Sequence, residues 1–307
     1  MKKALAVGLV IGLLAVASVG YLVLFPRGFA LPEVKSMWHE WGALSKGTTE
    51  VVSHVIVHNP SNIPVVISDV SYTIYLNGIA LAQGHSTGQV RLPPSGDAEI
   101  TLRTHINNTR LPAWWVSHLS KGELTILEVK GSARGAVYGI QFSFPIYYTR
   151  ELKTDLSEQL DYDDEITIYI APSIRVVVRS VDTELGSFND TTTQFVHTAK
   201  IYNPNDVMII VGKMYAEAFV NDILIATGEQ PLDAIIIGPH QEVSITFYSY
   251  LDNTKIDDVW ATHLMNGERS RVFLRVYLVS GGELILIYEY EDEYETDILG
   301  SLSGSGP

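Results

Sequence analysis

The chain has 307 residues, 46% of them hydrophobic and 18% charged, which excludes a disordered polymer and is enough to bury two separate cores. It has no cysteine, so disulfides, thiolate metal sites and cysteine nucleophiles are excluded together. A formal net charge of −14 repels phosphate, and no nucleic-acid partner is expected.

Residues 1–27 read as an N-terminal membrane anchor or signal segment. Lys2 and Lys3 precede an uncharged apolar run from Ala4 to Phe25, closed by Pro26 and Arg27. A helix needs roughly 20 apolar residues to cross a bilayer. A single-pass anchor is therefore expected, with the N terminus inside the cell and the bulk of the chain outside. Ala15-Val16-Ala17 has the small-x-small pattern of a cleavage site, which would release a secreted protein. Processing of the prepilin type near Lys3-Ala4 would instead imply a filament. Continuation of the run through Phe25 favours the uncleaved anchor.

Beyond the anchor the chain repeats itself. HNPSNIPV from His58 matches YNPNDVMI from Tyr202, and an offset of 144 also pairs Asn77 with Asn221, Ala82 with Ala226 and Gly84 with Gly228. After one inserted residue the offset of 145 pairs Pro94 with Pro239, Trp115 with Trp260, His118 with His263 and Gly122 with Gly267. A period this long means duplicated whole domains, since solenoid units are about 20 to 50 residues. The expected organisation is a first domain at 31–148, an acidic linker at 149–167, a second domain at 168–290, and an acidic, then Gly/Ser-rich, mobile tail at 291–307.

Within a copy the apolar period is two: Val70, Tyr72, Ile74 and Leu76 share one face of a strand. Similar alternation near Val51–His58, Glu99–Thr104, Leu124–Lys130 and Val137–Phe144 gives short strands divided by Asn, Pro and Gly. This spacing favours an all-β sandwich. Asn59-Pro60 and Asn203-Pro204 end strands, with Asn capping the turn. Asn77-Gly78 signals a two-residue hairpin, kept less ideally as Asn221-Asp222. One short helix per domain is expected, opened by Pro112 and stopped by Gly122, with Trp115 and Leu119 on the face that plugs the core; Trp260 and Leu264 are its counterparts.

No catalytic, cofactor or metal residues are assigned. GHSTG at Gly84–Gly88 matches the serine-hydrolase elbow, yet Gln89-Val90-Arg91-Leu92-Pro93-Pro94 cannot start the helix that chemistry requires, and the second copy has no serine there. His54 and His58, four apart on a strand, stand about 13 Å apart, too far to share a metal. His118 and His263 lie near helix C-termini, where a cation is favoured and a carbonyl is in reach. Trp38 and Trp41 are read as domain-edge packing with His39 solvated. Asp161, Asp163, Asp164 and Glu165 lack the glycine and distant glutamate of a calcium loop and read as a solvated linker. Asn107-Asn108-Thr109 and Asn189-Asp190-Thr191 are sequons, so Asn107 and Asn189 are candidate glycosylation sites.

A strand ending in Asn-Pro, a hairpin at Asn-Gly and a glycine about seven residues on resemble the water stress and hypersensitive response (WHy) domain of the folded late embryogenesis abundant proteins. The resemblance covers Leu31 to Tyr148 and Ile168 to Tyr290. It rests on Asn59, Pro60, Asn77, Gly78 and Gly84 in the first copy and Asn203, Pro204, Asn205, Asn221 and Gly228 in the second. Asp222 departs from the pattern, which puts the second hairpin's type in doubt. The resemblance implies a seven-stranded immunoglobulin- or fibronectin-like sandwich with one helix, no catalytic residues, and a role in tolerance of water stress or desiccation. The expected function is weak binding of partly unfolded proteins, membrane surfaces or envelope components, without a cofactor. The alternative is a structural or adhesion subunit of a cell-surface assembly or filament, with self-association; a hydrolase using Ser86 comes third.

Overall fold

The computed structural model describes residues 32–231, 234–300 and 304–305. The anchor expected at 1–27 lies outside the described residues, and among these no helix is long and apolar enough to cross a membrane. The described chain forms two antiparallel β domains with short helices.

The first domain contains β1 (Glu33–Leu44), β2 (Thr48–His58), β3 (Val65–Leu76), β4 (Ile79–Ser86), β5 (Val90–Leu92), β6 (Asp97–Asn107), helix α1 (Leu111–Ser120), β7 (Leu124–Val137) and β8 (Ile140–Lys153). The hydrogen-bonded order is β1-β2-β6-β4-β3-β7-β8, with β5 on β3. Alternate residues fill the core: Val51, Val55 and Val57 on β2, Ile100, Leu102 and Ile106 on β6, Val70, Ile74 and Leu76 on β3, Leu127 and Val129 on β7. This is the period-two pattern read from the sequence, and each such residue contributes roughly 1.5–3 kcal/mol by leaving water.

The second domain contains helix α2 (Leu156–Leu160), β9 (Ile166–Ala171), β10 (Ile174–Phe188), β11 (Thr192–Tyr202), β12 (Ile209–Gly212), β13 (Met214–Val220), β14 (Ile223–Glu229), β15 (Ala234–Ile237), β16 (Glu242–Asp252), helix α3 (Ile256–Met265), β17 (Arg269–Ser280) and β18 (Glu283–Glu295). Its main sheet runs β18-β17-β13-β14-β16-β11-β10-β9, and β12 pairs with β15 alone. Val176, Val178, Ile201 and Ile245 meet Ile209, Val211 and Ile237 in one core, so the β12–β15 ribbon covers the sheet as a second layer.

Four sequence expectations change. The strand expected across Val137–Phe144 is broken by a hairpin turn at Tyr138-Gly139, both at positive φ, so that Val137 ends β7 and Ile140–Phe144 begins β8. The expected linker is largely built in: β8 runs to Lys153, α2 follows, Asp161 accepts the Thr183 N–H at 2.6 Å, and Tyr162 bridges to Val181. The acidic stretch expected in the tail is strand β18 as far as Glu295. It is zipped to β17 by Arg275–Glu289 (2.8 Å), Arg271–Glu291 (3.0 Å) and Arg269–Glu295 (3.1 Å). Past it, Ile298 and Leu299 are buried, and strand β19 (Gly304–Ser305) pairs with β1 through Ser36 and Met37. Finally, Trp114 rather than Trp115 is the buried tryptophan of α1. The inward stripe is Leu111, Trp114, His118 and the expected Leu119, and Trp114 Nε1 donates to Thr125 Oγ1 at 2.9 Å.

Candidate functional site

The signature residues build the frame. Asn59 is fully buried; its amide donates to the Ile63 and Pro93 carbonyls (2.8 and 3.0 Å), and its Oδ1 accepts the Ser61 N–H and hydroxyl. Asn203 repeats this, donating to Val207 O (2.8 Å), Ile237 O and Gly238 O and accepting from Asn205. Each asparagine does more than cap a turn. It ties the loop after Pro60 or Pro204 to the turn leading into β6 or β16. Asn205 reaches on to the Arg175 carbonyl at 2.7 Å.

Asn77 and Gly78, at φ +51° and +83°, form the two-residue hairpin turn, and Asn77 also exchanges hydrogen bonds with Ile126 and donates to Leu124 O. Asn221 and Asp222 take the same conformation at +51° and +65°, so aspartate does not change the turn type. Gly84 and Gly228 leave room for a ring lying flat across the strand, Tyr72 in the first domain and Phe247 in the second.

The candidate chemistry resolves into structural roles. Ser86 ends β4, its hydroxyl accepts the Val70 N–H at 3.0 Å, and strand β5 follows. His54 pairs with Glu99 at 2.6 Å and stacks on Trp38, and the Glu99 hydrogen bond holds its imidazole above the usual range. His58 pairs separately with Asp97 at 2.6 Å. His39 is buried against the Ser53 hydroxyl at 2.8 Å, contrary to the solvated expectation, because it lies on the inward side of β1.

His118 bonds the Thr125 and Thr154 hydroxyls, both at 2.8 Å, and His263 bonds Ser270 at 2.8 Å. Burial pushes both imidazoles down in pKa, so they serve as neutral struts rather than helix-end cations. His197 links Thr183 (2.9 Å) to Ser249 (2.7 Å) and is also lowered by burial. A hydroxyl stands where a catalytic triad would need a carboxylate. Asn107 and Asn189 are exposed, and each side-chain oxygen accepts from the threonine of its own sequon. Among the described residues no group of three or more His, Asp or Glu could hold a metal ion.

What the second domain displays is hydrocarbon. Val207 and Met208, in the loop tied down by Asn203, are more than half exposed. Ile210 and Ile236, directly opposite each other on β12 and β15, are each 61% exposed. Leu284, Ile285 and Leu286 follow at the start of β18, each about half exposed. The β12 end adjoins this hairpin: Val279 N–H donates to Lys213 O at 2.8 Å, and Val279 faces Leu284. Lys213, Tyr215, Glu217, Glu229, Val279 and Leu284 line a shallow depression of about 400 Å³ beside it. This surface is not legible in the sequence, because a run such as MIIV reads as core; which alternate residues face outward depends on what covers the sheet.

Residues 54–149, within the first domain, match the family described as Late embryogenesis abundant protein. No curated protein sequence matches the chain. A crystal structure of a protein from Archaeoglobus fulgidus is 27% identical at a TM-score of 0.36, covering 40% of this chain and 98% of that one. A solution structure of an Arabidopsis thaliana protein is 15% identical at a TM-score of 0.28, covering 47% and 95%. A β-glucuronidase of Bacteroides uniformis is 11% identical at 0.24, and its alignment covers 82% of this chain but 26% of the enzyme.

Proposed function

We propose that this is a non-enzymatic, stress-protective protein that holds partly unfolded proteins on the apolar surface of its second domain. Its N-terminal apolar run anchors it in a membrane with both domains outside the cytoplasm. The observation that carries the reading is the exposed group Val207, Met208, Ile210, Ile236 and Leu284–Leu286 on a chain of net charge −14. Large apolar side chains left exposed in such number on a strongly acidic chain are a mark of binding. The fold does not require it: the first-domain counterparts are the half-buried Ile63, Pro64 and Val66 and the charged Arg91.

The late embryogenesis abundant domain at 54–149 supports a stress-related, non-catalytic role. A flat apolar surface without a deep pocket holds many different clients weakly, and the negative charge keeps loaded complexes apart. No cofactor is needed.

The test is to dry or heat a reporter enzyme with the full chain in nanodiscs, using an inert protein of equal mass as control. The chain is expected to preserve soluble reporter, and the exposed-site double variant Ile210→Ser/Ile236→Ser to lose most of that protection while folding normally. Protection unchanged in the variant would remove this surface from the mechanism. No protection by the native chain would sink the stress reading in favour of a surface-assembly role.

A further inference from the structure

The β7–β8 hairpin of the first domain ends in Tyr138-Gly139-Ile140, with Tyr138 77% and Ile140 76% exposed. Val137 faces Ile140, so Tyr138 and Gly139 form a two-residue loop, at φ +50° and +80°. A bulky side chain is strained at positive φ, and such loops favour Asn, Asp or Gly. The other two-residue hairpin loops with positive φ among the described residues obey this, with Asn77-Gly78, Asn221-Asp222 and Gly281-Gly282, while Pro172-Ser173 between β9 and β10 avoids positive φ altogether. Tyr138 therefore occupies a costly conformation, and its exposed ring gains little packing in return. Strain of this kind, kept without a folding benefit, points to function.

The tip's place in the domain says what it meets. β1 begins at Glu33 opposite His58, the last residue of β2, and His58 faces Asp97, the first of β6. β3 begins after the following loop, with Val66 opposite Ala136. The tip thus lies at the end of the domain where the chain arrives from the apolar run. Phe25 and Glu33 are eight residues apart, a reach of at most about 29 Å. From Gly131 to Tyr147 there is no acidic residue in a chain that is acidic overall, and Arg134 is exposed beside the tip. The corresponding tip of the second domain carries the exposed Glu283.

We infer that the β7–β8 tip inserts Tyr138 and Ile140 into the interfacial layer of the bilayer that holds the N-terminal run, with Arg134 at the level of the lipid headgroups. Tyrosine suits this layer, since its ring enters the hydrocarbon boundary while its hydroxyl stays wet. Isoleucine adds apolar area, and arginine keeps its charge among the phosphates. The tip is then a second contact that fixes the orientation of the first domain on the membrane. The inference rests on the anchor reading above.

The absence of native cysteine lets one introduced cysteine report alone. The full chain carrying Gln141→Cys beside the tip, or Lys121→Cys at the opposite end of the same domain, is labelled with a polarity-sensitive fluorophore. It is then reconstituted in phosphatidylcholine–phosphatidylglycerol vesicles containing shallow quencher lipids. The expected result is flotation with the vesicles and several-fold more quenching at 141 than at 121. In the Tyr138→Asn/Ile140→Thr background the excess at 141 should vanish, while the melting temperature stays level or rises because asparagine suits the loop. Flotation with equal quenching at both positions overturns the inference and leaves the anchor standing; failure to float overturns both. A label at 141 that responds only when an unfolded reporter protein is added overturns it in favour of a protein client.

Discussion

In the first domain an imidazole on β1, His39, meets a hydroxyl on β2, Ser53; in the second the hydroxyl, Thr183, is on β10 and the imidazole, His197, on β11. Both are directly opposed pairs at the same register. The ring that crosses the glycine shared by both copies is exchanged in the same way. It comes from β3 as Tyr72 in one copy, with Leu102 on β6, and from β16 as Phe247 in the other, with Ala216 on β13. The Glu50 carboxylate accepts Ala43 N–H at the β1 bulge, and Gln194 accepts Ser187 N–H at the matching bulge of β10. The two copies keep a ring over the shared glycine and an imidazole–hydroxyl hydrogen bond between the paired strands while exchanging the positions that supply them. The pair, not the single position, is what the fold constrains.

The largest effect that would break this symmetry is at the buried asparagines. Asn59→Ala leaves several buried backbone groups without partners and should cost about 3–5 kcal/mol. Asn203→Ala should cost a similar amount, with each loss confined to its own domain in hydrogen exchange; a loss of under about 1 kcal/mol would mean the knot is redundant.

Next, Tyr72→Ala should cost about 3–4 kcal/mol as a cavity opens over Gly84. Adding Leu102→Phe, which copies the second domain's solution, should recover at least about 1 kcal/mol in chemical denaturation. An additive pair would show that the exchange is coincidental.

Acid should then separate the domains. His118, His197 and His263 are held neutral by burial, so their contribution is present above the unfolded value near 6.5 and is lost as pH falls below it. His54 has the opposite sign. The Glu99 hydrogen bond raises it, so its contribution is present below about 6.5 and fades as pH rises through its folded value. The first domain holds one of each kind and the second two of the lowered kind. Between pH 7 and 5 the second domain should lose more stability, and equal losses in domain-resolved hydrogen exchange would contradict these assignments. The lowered carboxyls of Glu50 and Asp97 act only at more acidic pH.

The smallest effect sharpens the comparison of hairpins. Asp222→Gly, at φ +65°, should stabilise the second domain by about 0.5–1 kcal/mol, seen as a raised melting temperature for that domain.

The β architecture could be read from alternation and from turn residues that act locally: Asn77-Gly78 is a turn because of its own backbone preferences, whatever surrounds it. The Val137–Phe144 stretch misled because its turn is made by a tyrosine, whose preference opposes the conformation it adopts. The acidic run after Glu289 read as a tail because its arginine partners lie 14 to 26 residues earlier, and only strand pairing brings them opposite. The Leu111-Trp114-His118 stripe was hidden by a histidine on an apolar face; its two hydroxyl partners come from β7 and the segment after β8.

By itself the sequence determined the duplication, the all-β class, the helix in each copy and the Asn-Pro and Asn-Gly turns, since these depend on backbone conformation and periodicity within a few residues. Only the tertiary structure decided which apolar residues stay uncovered, which histidines are neutral and what the acidic strand pairs with. Exposure, desolvation and ion pairing are set by atoms brought together from distant parts of the chain.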